Sequence, residues 1–387
     1  MYGKVRPMAS PSPMYLHVIS FDVPHPPTYG GAIEVYYKVQ ALAEQGVRIY
    51  LHCFDYGRGP SEALADLCEA VYYYPRKSIF RSLPVQYPHI VKSRASEALL
   101  ERLLLDDIPI LFEGLHTTWF LAHPEFERRV KAVRLHNIEW EYYYQLAQRE
   151  TRYARKQYLL AESRLLKEWE EILVHADHLL AISPKDTAYY QETYPNTRYL
   201  PAFHGHSRLA TRSGRGDYCL YHGNLDVAEN HEAAMFLVEE VFAALPLPLI
   251  VAGANPKAEL IRAINKLDHV LLRPNPGEAE MTDLLRHAHV HVLPTFQHTG
   301  IKLKLLNSLY TGRFVVTNPP MIHRTGLEFC VETAHSPEEF HEVLERLFAA
   351  PFTEADMARR KVCLGETFDP AANARRLIEL LRQPPST

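Results

Sequence analysis

Cysteine is scarce in this chain: five residues in 387, Cys53, Cys68, Cys219, Cys330 and Cys363, with no Cys-x-x-Cys pair. An odd, scattered set argues against a zinc site and against a disulfide framework, and predicts reduced, buried thiols in a cytosolic protein. Long apolar runs are missing too. No window approaches the roughly 18 apolar residues that a membrane span needs, and no basic segment followed by an apolar core opens the chain, so neither a spanning protein nor one exported by that route is expected. Excess positive charge is also absent. With 42 Lys and Arg against 46 Asp and Glu the net charge is −4, which argues against nucleic-acid binding by overall charge and leaves basic character to local patches.

What is present is a globular composition, 47% apolar and 23% charged, at a length that suits two domains rather than one core. Short apolar runs alternate with helical patterns over residues 14–203. After a polar, glycine-containing stretch at 204–216 the alternation restarts over 217–369, and 370–387 carries a final amphipathic helix and tail. Residues 1–13, rich in Pro, Ser and Met, read as a loose leader. Strand–helix alternation predicts parallel sheets covered on both faces, hence an α/β chain of two doubly wound, Rossmann-like domains facing a cleft. Ligands in such folds bind beyond the carboxyl ends of the strands.

One segment carries the strongest functional signal. Gln297-His298-Thr299-Gly300-Ile301-Lys302-Leu303-Lys304-Leu305-Leu306-Asn307-Ser308-Leu309-Tyr310-Thr311-Gly312 lies between two strand patterns. A strand feeding a glycine that opens a helix gathers backbone N–H groups and the positive end of the helix dipole, which suits a phosphate. At about 100° per residue, Gly300, Lys304 and Asn307 form one stripe, opposite an arc of Ile301, Leu305, Leu306 and Leu309. Lys302 falls inside that arc, so it belongs to the turn or snorkels. Taken alone, the same pattern is also that of an ordinary amphipathic helix with two solvated lysines.

Other segments add to it. Asp22-Val-Pro-His-Pro-Pro-Thr28-Tyr29-Gly30-Gly31 is a stiffened turn whose glycine pair lets backbone approach a ligand at a helix start, or is simply a tight turn. Tyr221-His-Gly223-Asn224-Leu-Asp226-Val-Ala-Glu-Asn230 ends a strand and enters a helix, where Asn230 is equally suited to be an N-cap. His136 closes a strand-like run, and His116 follows another; both suit a ligand-facing position or a satisfied core histidine. His287-Ala-His289-Val-His291 has a spacing compatible with zinc but no further ligand, and no metal is assigned. The basic, apolar stretch from Arg76 to Arg94 fits either a solvated loop or contact with an anionic membrane and a lipid-linked acceptor.

Taken in order, these segments, with Arg134-Leu-His136-Asn137-Ile-Glu139 and Ala176-Asp177-His-Leu-Leu-Ala-Ile-Ser183-Pro, resemble the GT-B-fold glycosyltransferases, specifically the large retaining family 4, across essentially residues 14–383. The resemblance implies a C-terminal helix crossing back to the first domain. It also implies transfer of a sugar from a nucleotide diphosphate donor to a glycan or lipid-linked acceptor, with retention at the anomeric carbon. Gly30 and Gly31 would contact the donor diphosphate or the acceptor, His136 would lie beside the transferred sugar, and His116 would be a secondary site residue. The region around Lys302 and Lys304 would hold the phosphates, with Lys304 catalytic; Gly223, Asn224, Asn230, Thr299, Gly300 and Ile301 would bind the donor, and Asn307 would replace a glutamate that binds ribose.

No Asp-x-Asp occurs in the sequence, which fits a metal-independent mechanism, and no cofactor is assigned. The chain departs from the family in two respects. Asn224 and Asn230 stand where many members carry Arg and Lys, and the paired glutamates seven residues apart are replaced within Gln297–Thr299 and by Asn307. A catalytically silent relative that binds a partner, or a nucleotide-sugar epimerase, therefore stands as an alternative. The expected location is cytoplasmic, with peripheral contact at the inner membrane face.

Overall fold

The computed structural model describes residues 13–77, 86–296 and 303–385. Thirteen strands form two sheets among the described residues. The first sheet contains β1 (Tyr15–Ser20), β2 (Arg48–Asp55), β3 (Ala70–Pro75), β4 (Ile110–Glu113), β5 (Lys131–Leu135), β6 (His178–Ala181) and β7 (Thr197–Tyr199), in the order β3-β2-β1-β4-β5-β6-β7. The second contains β8 (Cys219–His222), β9 (Leu249–Gly253), β10 (Val270–Pro274), β11 (Val290–Leu293), β12 (Phe314–Thr317) and β13 (Glu332–Thr333), in the order β10-β9-β8-β11-β12-β13. The pairings β1 with β2 and β4, and β8 with β9 and β11, are parallel. Strands such as Ile110-Leu-Phe-Glu113 and Leu249-Ile-Val-Ala-Gly253 are buried along their whole length, as expected for parallel strands with helices on both faces.

By backbone proximity the chain divides into two compact units, one of Met1–Arg134, Leu165–Leu179 and Ala374–Thr387, the other of Leu135–Arg164 and Leu180–Asn373. The terminal helix Pro370–Leu381 thus enters the first unit from Ala374 onward. The polar stretch at 204–216 lies inside the second unit. The long helical pattern after β5 breaks into Glu139–Arg149 and Tyr153–Trp169, because Glu150 is extended and accepts hydrogen bonds from Arg152. A 3₁₀ turn at Glu328–Cys330 precedes the short strand β13.

The expectation of reduced thiols needs one correction. Cys330 and Cys363 form a disulfide with Cα atoms 5.8 Å apart, which ties that 3₁₀ turn to the helix Glu354–Leu364. A spacing of 33 residues gives no sign of this pairing. The helix that carries Cys363 brings the two together.

In the first unit the helix Gly30–Glu44 is held by buried charge. Lys38 Nζ lies 2.7 Å from a Glu34 carboxylate oxygen one turn earlier, and 2.7 and 2.8 Å from the two oxygens of Glu113 at the end of β4. Arg134 on β5, paired in register with Glu113, donates through Nε to Glu34 at 2.9 Å. All four side chains are essentially excluded from water, so their cohesion depends on mutual neutralisation: removing one partner leaves a buried charge uncompensated. Lys38→Met should lower stability by about 3–5 kcal/mol. Arg48→Ala, which breaks an exposed pair with Glu69, should cost less than about 1 kcal/mol. Urea midpoints of the two variants against the wild type check this, and equal midpoints would remove the network from the account of the fold.

Candidate functional site

In each sheet the chain leaves the first strand toward one side and returns on the other, so β1 beside β4 and β8 beside β11 are points where strand order reverses. Loops at the carboxyl ends of such a strand pair splay apart and leave a crevice.

At the β1/β4 point, Tyr29 precedes the helix that starts at Gly30 and offers no side-chain cap, so the first-turn N–H groups receive nothing from it. Gly30 is exposed, and a Cβ on Gly31 would sit 2.7 Å from the Phe21 ring. Phe21 in turn packs against His116, with ring centroids 5.3 Å apart. Gly114, at φ +74°, turns the chain out of β4 where a side chain would meet the His116 Nδ1 at 2.8 Å. Gly31 and His116 are therefore brought together through Phe21. Arg94, which the sequence placed in a basic stretch, is buried and donates to the Phe21 and Ile90 carbonyls, so it braces the β1 exit rather than presenting charge outward.

At the β8/β11 point the predicted residues form one connected group. Tyr221, fully buried, donates to the Asn230 carbonyl at 3.0 Å and accepts from Lys304 Nζ at 3.4 Å. The same Nζ donates to Asn230 Oδ1 at 3.0 Å and stands 5.0 Å from the Tyr221 ring centroid, a cation–π arrangement. Asn230 Nδ2 donates to the Asn224 carbonyl at 3.0 Å. Asn230 is not the N-cap of its helix, since Val227 is and the helix begins at Ala228. Its side chain instead folds back over Gly223, where a Cβ would come within 3.1 Å of its Cγ. Gly253, at the end of β9, admits the Gly223 carbonyl where a Cβ would lie 1.8 Å away.

The helix Leu303–Thr311 buries Leu305, Leu306 and Leu309 and leaves Lys304 and Asn307 half-buried. Thr299, Gly300, Ile301 and Lys302 lie outside the described residues. Asn307 Oδ1 is 2.9 Å from His206 Nε2. His136 follows β5 directly, half-buried, and Arg149 at the far end of the next helix donates to the Phe296 carbonyl at 2.6 Å and pairs with Glu232 at 3.4 Å. The segment after His136 is thereby tied to the loop after β11. His289 and His291 serve the backbone: His289 takes the Gly216 N–H and donates to the Leu347 and Ala350 carbonyls, and His291 donates to Leu285.

Sequence reasoning missed several participants. Tyr221 and Glu229 lay within a quoted segment without a role, and Glu229 accepts from Thr295 at the β11 exit. Thr295 is clasped by Asn318 through bonds of 3.0 and 2.8 Å. His206 had no local signal at all.

Residues 216–350 match the family model described as Glycosyl transferases group 1. A Klebsiella pneumoniae relative, described as an uncharacterized 44.6 kDa protein in the cps region, is 24% identical over 332 residues, 80% of this chain and 84% of that protein. The structure of WaaG, a glycosyltransferase involved in lipopolysaccharide biosynthesis, superposes with a TM-score of 0.63 at 13% identity, covering 95% of this chain and 99% of that one. The UDP-forming α,α-trehalose-phosphate synthase of Burkholderia xenovorans, solved with glucose-6-phosphate, gives 0.64 at 14% identity over 95% of this chain and 100% of that one. The Anabaena protein HepE, solved with UDP and glucose, gives 0.64 at 11% identity over 95% and 99%.

Histidine burial near the site makes a pH prediction. His204 donates through Nε2 to the Phe368 carbonyl at 2.8 Å and accepts the His206 N–H on Nδ1 at 3.2 Å, so it is held neutral. Burial, and then the neighbouring His206, lower its pKa to about 4. The unfolded chain takes up this proton near pH 6.5 and the folded chain does not, so the stability that His204 confers is complete above about 6.5 and is lost as pH falls toward 4. By pH 4 the loss from this one group is on the order of 3 kcal/mol. Urea unfolding at pH 7, 5.5 and 4 should give a shallower pH slope for His204→Gln than for the wild type; identical slopes would place the acid sensitivity elsewhere.

Proposed function

We propose that this chain, whose residues 216–350 match the Glycosyl transferases group 1 model, is a GT-B-fold glycosyltransferase that moves a sugar from a nucleotide diphosphate donor to a glycan or lipid-linked acceptor. The observation that carries this reading is the Lys304 ammonium, set among Asn230, Tyr221 and the Gly223 loop at the β8/β11 reversal point. Breaking a bond to a nucleotide diphosphate concentrates negative charge on the leaving oxygens. A fixed cation there, with backbone N–H groups at a helix start, stabilises that charge with little reorganisation. Lys304 takes over the part that Arg and Lys play in many relatives, since Asn224 and Asn230 occupy their positions.

His136 stands beside the reacting sugar in this reading, while Gly30, Gly31 and His116 serve the acceptor or the distal end of the donor. Transfer proceeds with retention and without a metal, in keeping with a sequence that has no Asp-x-Asp. UDP in the solved HepE complex and the UDP-forming trehalose-phosphate synthase support a nucleotide diphosphate donor, and WaaG supports a glycan or lipid-linked acceptor. No described helix is long and apolar enough to cross a membrane.

Two measurements test the proposal. Lys304→Ala should weaken nucleotide diphosphate binding by about 1–3 kcal/mol, the range for a charge-assisted hydrogen bond; calorimetry showing unchanged affinity with the fold intact would reject that role. His136→Ala should cut turnover at least tenfold, about 1.4 kcal/mol, with little change in binding of the bare nucleotide diphosphate, the pattern of an interaction made in the transition state. A variant that melts several degrees lower but keeps its turnover per folded molecule would make His136 a core residue.

A further inference from the structure

Within the second unit, Asn307 is held by its neighbour His206. Its Oδ1 faces His206 Nε2 at 2.9 Å, and its Nδ2 makes no hydrogen bond among the described residues. His206 is itself held in place. Its ring lies parallel to that of Tyr310, 11° between planes and 5.3 Å between centroids, and its backbone N–H donates to His204 Nδ1. Tyr310 is anchored in turn by its hydroxyl on the Phe368 carbonyl at 3.0 Å. With His206 donating through Nε2, the amide oxygen of Asn307 is engaged, and what the residue offers to a ligand is a pair of N–H donors.

Asn307 lies three residues after Lys304, so the two share one face of the helix. That face therefore presents an ammonium and an amide NH₂, both donors. A carboxylate at position 307 would accept from ribose hydroxyls; a donor-only face instead matches the oxygens of a phosphate. We infer that Asn307 binds a phosphate oxygen of the nucleotide diphosphate as a hydrogen-bond donor, and that His206 is the positioning residue that sets this orientation. The inference rests on the reading of this site as the donor site. It moves residue 307 from ribose recognition to the diphosphate, and so accounts for an amide at this position in a chain that has also exchanged the Arg and Lys after Gly223 for asparagines.

The test is calorimetry of the full chain with UDP and GDP, each against its nucleoside, uridine or guanosine, on the wild type, Asn307→Asp, Asn307→Ala and His206→Phe. The aspartate keeps the shape but replaces donors with negative charge, and the phenylalanine keeps the stack on Tyr310 but loses the N–H. Asn307→Asp should weaken the bound diphosphate by about tenfold or more and the matching nucleoside by less than about twofold. Asn307→Ala and His206→Phe should each weaken the diphosphate by about threefold or more, again sparing the nucleoside. A merely structural role for His206 would lower both affinities together. Equal losses for diphosphate and nucleoside, or tighter binding by Asn307→Asp, would overturn the inference while leaving the donor-site reading in place. A folded wild type that binds neither diphosphate would overturn both. Should Asn307→Asp fail to fold, the diphosphate-to-nucleoside ratio of Asn307→Ala decides on the same criteria.

Discussion

Parallel strands all end on the same edge of their sheet, and the chemistry of this chain depends on that constraint. Because β8 pairs with β9 on one side and β11 on the other, the connections from β8 and β11 turn away from each other and leave their carboxyl ends uncovered. Gly223 and Lys304 are 81 positions apart in the sequence, yet the loop after one strand and the helix after the other meet at that edge. Without the β8/β11 neighbourhood the ammonium of Lys304 would be one more lysine on an amphipathic helix.

The two units stabilise their polar interiors differently. In the first, Glu34, Lys38, Glu113 and Arg134 are formal charges that cancel in a water-free layer beneath the helix that starts at Gly30. This anchors the turn rigidly, since any displacement of the helix would separate charges that have no solvent to fall back on. In the second, the groups around Lys304 include neutral amides, hydroxyls and imidazoles: Asn230, Tyr221, His222 with Ser308, and His206 with Asn307. Burial lowers the basicity of His222 and His204 and raises the pKa of Tyr221.

Glycine acts at these edges by admitting backbone rather than by flexibility. Gly253 lets the Gly223 carbonyl come to a place where any Cβ would collide, and Gly31 lets the Phe21 ring close over the first helical turn. The approach of one loop to another is thus written into positions that look like ordinary turns in the sequence.

How much was legible in advance follows the range of each interaction. The strand and helix pattern, the two-sheet architecture and the leucine arc of the 303–311 helix are set by local periodicity, which sequence carries directly. The placement of Lys304 and Asn307 on one stripe was legible for the same reason. The Cys330–Cys363 bond, the salt-bridged layer around Lys38, the partnership of Asn230 with Lys304 and the grip of His206 on Asn307 were not, because each joins residues far apart in the chain and none leaves a periodic trace. The sequence by itself determined which segments become strands and helices and which side chains each one presents. Only the tertiary structure decided which of those side chains meet, because neighbourhood in a parallel sheet depends on crossover order and on close packing between distant segments.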